Sequence, residues 1–323
     1  MKTAVISDVH GNYPALLSVM DDARANGANN FIFVGDYIFD LPYSNEATRL
    51  IMETENSRVV RGNKETYLKK MSGEDQKNWT FDQMGAVYQT YRDLEPDVFD
   101  YLINLDDEIF ISLGADKTAY AVHTPKFFID QPKFHCSSHR YHKKMLERPF
   151  TREEYLSEFN GFVNSSEYSA AFNKINADVI IFGHNHLQSR ARCGDKLIVN
   201  PGSCGQPLDF NNAAAYTILD TSDGEIKIIE RRVKYDVEPV IKKAMESVLY
   251  EKGKTWLGLV FLALRTGRDY FGFFFEIANQ IAESKNEDGT FYTNSTWSEA
   301  NELFSQRFKT DSNDESRIIR NEK

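Results

Sequence analysis

Cysteine is scarce in this chain. Cys136, Cys193 and Cys204 are the three it has, and none belongs to a Cys-x-x-Cys pair. An odd, sparse set argues against a disulfide framework and fits a reducing compartment, so a cytoplasmic location is expected. Long hydrophobic runs are missing as well. The longest, Trp256 to Leu264, ends at Arg265 after about nine residues, against the roughly 20 of a membrane-spanning helix. The N-terminus, Met1-Lys2-Thr3-Ala4-Val5-Ile6-Ser7-Asp8, reaches a carboxylate before a signal-peptide core can form. No membrane partner is expected. Positive charge is also short: 38 Lys and Arg face 48 Asp and Glu, a formal net charge of −10. That argues against a broad basic face tracking a nucleic-acid backbone. It leaves a phosphate substrate open, because bound cations reverse a local field.

What is present is ordinary globular composition, 323 residues with 41% hydrophobic and 27% charged. Such a chain can bury a substantial core, in one large domain or two smaller ones. Short apolar runs read as strands at Thr3–Ser7, Asn30–Val34, Arg58–Val60, Ile109–Leu113, Ala119–Val122, Val179–Phe182, Leu197–Val199, Ala215–Leu219 and Ile226–Ile229. Residues 15–25 carry Ala15, Leu16, Val19, Met20 and Ala23 at helical spacing, and residues 45–55 form a weaker helix. Strand–helix–strand–helix–strand predicts parallel crossovers at the start. The later strands lack intervening helices, which predicts an antiparallel or mixed sheet and a layered α/β sandwich. Two segments look inserted: 64–105, helical with a core-type stripe of Phe81, Met84, Val87, Tyr88 and Tyr91, and 126–175, a loop that turns helical. Beyond residue 237 helical periodicity takes over, through Ile241–Leu264 and Phe271–Ile281. The expected organisation is a 1–237 domain, a helical extension over 238–308 and a disordered tail over 309–323.

Five short motifs fall at or just after strand ends: Asp8-Val9-His10, Gly35-Asp36, Gly62-Asn63, His123-Thr124-Pro125 and Gly183-His184-Asn185-His186. Open α/β sheets gather ligands outside the carboxyl ends of their strands, so these distant residues can meet at one rim. Singly each motif is weak. Asp-x-His is common, Gly-Asp is also a turn signal, a His-x-His pair often lies on the surface, and His123 alone could be a core histidine. All five in order, each after an apolar run, point to one site. Imidazole nitrogens with carboxylate and amide oxygens suit borderline divalent ions: Mn or Fe first, then Zn, Co or Ni. Cysteine is absent from the set, which argues against a closed structural zinc site. Two such ions about 3.5–4 Å apart activate water and clamp both oxygens of a phosphoryl transfer. Asp36 is the best bridging carboxylate between them.

These motifs resemble the calcineurin-like metallophosphoesterase superfamily over roughly residues 1–235. The stretch Asn200-Pro201-Gly202-Ser203-Cys204-Gly205-Gln206-Pro207 resembles its small prokaryotic phosphodiesterase branch, the YfcE type. The resemblance implies a four-layer α/β/β/α sandwich. It implies one metal on Asp8, His10 and His186 and another on Asn63, His123 and His184, with Asp36 shared and Gly202 and Ser203 near the site. Many relatives carry histidine directly after the asparagine, whereas this chain has Lys64 and then Glu65. Lys64 can stabilise phosphate charge but is a poor acid at its ordinary pKa near 10.4; alternatively it is a solvated lysine opening a helix.

The expected reaction is attack of activated water on phosphorus, in line with the leaving group, with Asp36, Asn63, His123 and Lys64 as the catalytic set. Arg61, Lys64, His135 and His139 are candidate phosphate contacts. The substrate class spans small phosphodiesters and phosphoanhydrides, among them a dinucleoside polyphosphate or cyclic nucleotide, with a phosphomonoester or phosphoprotein as alternatives. His135, His139 and His142 of the inserted loop are candidate substitutes for the missing acid, and the loop at 126–150, with Phe127, Phe128, Phe134, Tyr141 and several basic residues, could stack on a base and grip phosphates or simply pack on its own sheet. A different class is a weakly active metal-binding scaffold. Its C-terminal helices, rich in Trp256, Leu257, Phe261, Phe271, Phe273, Phe274 and Phe275, would serve as an interaction or homo-oligomer module. Packing of that surface on the sandwich is the preferred expectation.

Overall fold

In the computed structural model, which describes residues 1–124, 143–144, 151–288 and 291–308, the N-terminal crossovers form as the apolar pattern predicts. Strand β1 (Lys2–Ile6) pairs in parallel with β2 (Asn30–Val34), and β2 in parallel with β3 (Ser57–Val60). Helix α1 (Tyr13–Ala25) and helix α2 (Ser44–Met52) make the two connections. Asn12 caps α1 by accepting the Ala15 N–H at 3.2 Å, and the buried face of α1 is Ala15, Leu16, Val19, Met20 and Ala23. Strands β9 (Ala214–Asp220) and β10 (Lys227–Val233) extend the sheet antiparallel, in the order β10-β9-β1-β2-β3.

The second sheet runs β4-β5-β6-β8-β7. Its strands are β4 (Glu108–Gly114), β5 (Lys117–Val122), β6 (Val179–Ile181), β7 (Ser189–Cys193) and β8 (Lys196–Asn200). Strands β5, β6 and β8 are parallel to one another, and the edges β4 and β7 are antiparallel. The two sheets bury one core between them, where Val5, Ile32 and Val34 meet Ala119, Ile181 and Val199. Helices α1 and α2 cover the outer face of the first sheet. The outer face of the second is covered by α6 (Arg152–Val163) and α7 (Ser166–Asn173). This is a four-layer α/β/β/α sandwich with mixed sheets, as expected.

Two readings of the pattern change. Strand β7 was not predicted, because Ser189-Arg-Ala-Arg-Cys193 offers no apolar run; it holds its place as an edge with its arginines outward. The helical stretch over Ile241–Leu264 is broken into α8 (Glu238–Met245), α9 (Val248–Lys252) and α10 (Lys254–Thr266). Extended backbone at Ser247 and the non-helical Gly253 cut it, and both serve as N-caps of the next helix.

The 64–105 segment folds as α3 (Asn63–Met71), α4 (Gly85–Asp93) and α5 (Pro96–Ile103), with Val87 and Tyr91 packed on the first core. Helices α11 (Tyr270–Ser284) and α12 (Asn294–Arg307) complete the C-terminal group. Their aromatic residues form a core of their own, into which Leu41, Ala86 and Leu208 of the sandwich insert. The expected packing on the sandwich is therefore what forms. Among the described residues, no helix is long and apolar enough to cross a membrane. The tail from residue 309 and the loop at 126–150, apart from Lys143 and Lys144, lie outside the described residues.

Candidate metal centre

Each motif sits where a parallel strand ends. Asp8 and His10 follow β1, Asp36 follows β2, Asn63 opens α3 after β3, His123 follows β5, and His184 and His186 follow β6. The chain leaves these strands in abrupt turns. Asp8, His10, Asp36, His184 and His186 all have left-handed backbone, with φ between 52° and 74°. That conformation is uncommon for residues other than glycine and costs of order 1 kcal/mol or more each. Five of the seven predicted ligands share it. Such strain persists only where neighbours over-determine it, and here they do. The N–H groups of Asp8, Val9 and His10 donate to the Gly35 and Asp36 carbonyls at 2.8–3.0 Å. On the other side Gly205 N–H (2.9 Å) and Ser203 Oγ (2.7 Å) donate to the Asp8 carbonyl. The Asn200–Gln206 stretch thus reaches the Asp8 turn, Gly205 through its backbone and Ser203 through its hydroxyl rather than through backbone geometry.

Two groups of donors result: Asp8, His10 and His186, then Asp36, His123 and His184. Asn63 joins the second, its Oδ1 lying 3.0 Å from His123 Nε2 and 2.8 Å from His184 Nδ1. The tautomers decide what the groups are for. His123 Nδ1 donates to the Val34 carbonyl and His186 Nδ1 to the Gln206 carbonyl, both at 2.6 Å. His10 Nδ1 stands 2.7 Å from Asp40 Oδ2, in charge contact though off the straight N–H···O line. With Nδ1 holding the proton, each Nε2 presents a lone pair to the pocket. His10 Nε2 and His186 Nε2 face one another at 3.1 Å. Two lone pairs cannot bond each other, so a cation or a proton must lie between them.

The charges agree. Burial would raise the Asp8 and Asp36 carboxyls, but the His186 charge holds Asp8 at about 2, and that of His123 pulls Asp36 lower still. The same carboxylates overcome burial to push His123 up to about 10 and to raise His186. A pocket that draws this much positive charge, lined by oriented imidazole nitrogens and carboxylate oxygens, fits two borderline divalent ions.

Of these residues, His10, Asp36, Asn63, His184 and His186 line a cavity of about 460 Å³, within the range of small-molecule sites, and Asp8 and His123 stand behind them. Lys64 also lines it. Its ammonium is 3.9 Å from Asp40 Oδ2, its side chain is 17% exposed, and its backbone N–H donates to Asp36 Oδ1 at 2.8 Å. Burial works against its charge, but Asp40 and Asp36 raise its pKa, so it keeps its proton. Arg61 is placed differently from the expectation and is not among the lining residues. Its guanidinium donates to Asp107 Oδ1, with Nε at 2.8 Å, and to the Ile103 carbonyl at 3.2 Å, so its charge is met by that carboxylate. His135 and His139 lie outside the described residues.

Sequence reasoning missed three contributors. Asp40 supports His10 and accepts the Trp256 indole N–H at 2.6 Å. Trp256, Phe271 and Phe275 of the added helices form one side of the cavity. Glu65 is fully buried, and its carboxylate accepts the backbone N–H groups of Asp36, Tyr37 and Gly62 at 2.7–3.0 Å. Burial, then the Asp36 charge, push its pKa up, and the donors from Tyr37 and Gly62 pull it back. The Gly62…Glu65 spacing is that of a helix capping box and was the available signal for it.

Residues 1–224 match the model of the calcineurin-like phosphoesterase superfamily domain. The uncharacterised protein MJ0912 of Methanocaldococcus jannaschii is 27% identical over 272 residues, 79% of this chain and 95% of that protein. The fold is similar to a metallophosphoesterase from Sphaerobacter thermophilus, with TM-score 0.58, 21% identity, and 83% of this chain and all of that one covered. It is similar also to the hypothetical protein PH1004 from Pyrococcus horikoshii OT3, with TM-score 0.58, 17% identity, and 80% and 97% covered. With the family model spanning well over half the chain and donors from both triads lining one cavity, this protein belongs to the calcineurin-like phosphoesterase superfamily and is a metal-dependent phosphoester hydrolase.

Proposed function

We propose that the chain hydrolyses a small-molecule phosphodiester or phosphoanhydride at a dinuclear site. Asp8, His10 and His186 hold one ion, Asn63, His123 and His184 the other, and Asp36 lies between them. The observation that carries this is the 3.1 Å approach of two imidazole nitrogens, His10 Nε2 and His186 Nε2, beside a buried carboxylate. When bound, the ions supply Lewis acidity and an activated water, Mn or Fe being the best match to a nitrogen–oxygen donor set. The protein's own part is electrostatic and geometric. Asp40, Val34 and Gln206 fix the imidazole rings, Glu65 fixes the turn bearing Asp36, and the Lys64 ammonium faces the cavity where a phosphate oxygen gathers charge. An ammonium there stabilises charge, and lysine at its ordinary pKa near 10.4 is a poor acid for the leaving group. Good leaving groups, such as phenolates and phosphates, are therefore favoured. Cys193 and Cys204, both buried free thiols, support a cytoplasmic setting.

The test is turnover of a diester and anhydride panel with Mn(II) against a chelated control, together with metal analysis. Metal-dependent hydrolysis of at least one diester is expected, and Asp36→Asn and His184→Ala protein should lose metal and rate together. Full metal content and turnover in either variant would overturn the ligand assignment. Metal binding with no turnover across the panel would favour a scaffold.

A further inference from the structure

The family match ends at residue 224, yet the cavity it defines is closed on one side by residues that come later. Trp256 on α10 and Phe271 and Phe275 on α11 are those residues. Trp256 lies 4.7 Å from Phe271 and 6.1 Å from Phe275 between ring centroids, so the three make a continuous aromatic wall. Trp256 and Phe275 are only half-buried. Both also pack on the C-terminal core, so each spans from that core to the cavity.

The wall is also fixed in orientation. Trp256 Nε1 donates to Asp40 Oδ1, which prevents the indole from turning within the cavity. Lys64 Nζ lies 6.0 Å from the indole centroid, at the boundary between the rings and the carboxylate-rich floor. Among the described lining residues it is the one lysine or arginine. The cavity is thus divided, with a cation-demanding floor for a phosphate at one end and a rigid planar surface at the other. A flat aromatic group gains most from such a surface, because stacking needs area and a matched plane rather than hydrogen bonds.

We propose that the α10–α11 wall is the specificity-determining surface of this enzyme, and that it selects phosphoesters whose non-leaving group carries a planar aromatic ring, a nucleoside base being the best fit in kind. Trp256 and Phe275 are the stacking residues. This rests on the phosphoesterase reading, since it takes the phosphate to sit on the floor.

The test uses two substrates with one leaving group: the p-nitrophenyl ester of thymidine 5′-phosphate and p-nitrophenyl methyl phosphate. The full chain loaded with Mn(II) should prefer the nucleoside ester in kcat/KM. In Phe275→Ala that preference should fall tenfold or more, chiefly through KM. Independently of turnover, adenosine 5′-phosphate should quench tryptophan emission where ribose 5-phosphate does not, and Trp256→Phe should abolish the quenching. An unchanged preference in Phe275→Ala protein with native melting temperature and metal content overturns the proposal, as does equal quenching by the two phosphates. If neither ester is hydrolysed, the phosphoesterase reading fails, and the emission experiment alone decides whether the wall binds bases.

Discussion

Glu65 holds Asp36 by its backbone, one carboxylate oxygen accepting the Asp36 N–H at 3.0 Å and the Gly62 N–H at 2.7 Å. The turn after β2 and the start of α3 are thereby fastened to one side chain, and Asp36 and Asn63 keep a fixed separation. Glutamine at this position has the same shape but turns one acceptor into a donor. Either the Tyr37 N–H or the Asp36 and Gly62 pair would then face an N–H. Leaving a buried donor unpaired costs about 1–3 kcal/mol. Glu65→Gln is expected to lower stability in urea by that amount and to reduce bound metal. Unchanged metal stoichiometry would show that the turn holds without it.

Gly62 has no room for a side chain. A Cβ there would overlap Asp36 Oδ1 and the Asp36 backbone nitrogen, and would sit 2.8 Å from Glu65 Oε2. Gly161, inside α6, meets nothing within 4 Å. Gly62→Ala should destabilise by about 1–3 kcal/mol through overpacking and lose metal. Gly161→Ala should stabilise by about 0.5–1 kcal/mol, the helix-interior preference of alanine over glycine. Paired thermal melts check both signs, and a destabilised Gly161→Ala protein would contradict the open space seen there.

How far the sequence reveals this site depends on whether a residue acts through its place on a strand. Asp8, Asp36, Asn63, His123 and His184 each follow an apolar run, and the run both forms the strand and aims its end, so their convergence was legible. Asp40 was not, because it acts across the fold on His10 and Trp256, and nothing in the Phe39-Asp40-Leu41 surroundings distinguishes it. The aromatic wall was invisible for a related reason. The periodicity of α10 and α11 says which face is apolar but not what that face meets. Strand β7 lacked a pattern because an edge strand is held by backbone pairing to β8 more than by burial. Arg61 shows the converse, a basic residue beside a motif whose charge is taken by a carboxylate brought near only in the fold.

Asp40 gives a test that separates the two metal positions. Asparagine accepts the left-handed backbone that Asp40 has, at φ 66°, so Asp40→Asn should fold. Its amide can still receive the Trp256 N–H, but it then turns an NH₂ toward His10 Nδ1. The imidazole loses the partner that keeps its Nε2 lone pair in the pocket. Removing such a support typically costs 10–100-fold in metal affinity. Calorimetric titration with Mn(II) should show one of two sites weakened by roughly that factor and the other little changed. Equal affinities for the variant and the native protein would show that Asp40 does not orient His10.

Far from the cavity, the Asp22 carboxylate ties α1 to the first sheet, and its charge should be visible in the acid stability of the protein. Arg231 on β10 donates to it through Nη2 at 2.8 Å and Nε at 3.0 Å, and the Tyr216 hydroxyl on β9 donates at 2.5 Å. The Arg231 hydrogen bonds, set against the cost of burial, lower the Asp22 pKa below the ordinary carboxylate value. Between that lowered value and the unfolded value of about 3.9, the unfolded chain binds more protons than the folded one. The interaction therefore contributes its full stability above about pH 4 and loses it as the pH falls through the lowered folded pKa. Both partners are partly exposed, at 24% for Asp22 and 36% for Arg231, so solvent screening discounts the pair to about 1 kcal/mol. Asp22→Asn keeps the shape and removes the charge. Urea melts from pH 7 to pH 3 should find the variant less stable by about that amount at pH 7, with the gap closing below pH 4. A gap that stays constant across the range would assign the loss to packing rather than to the ion pair.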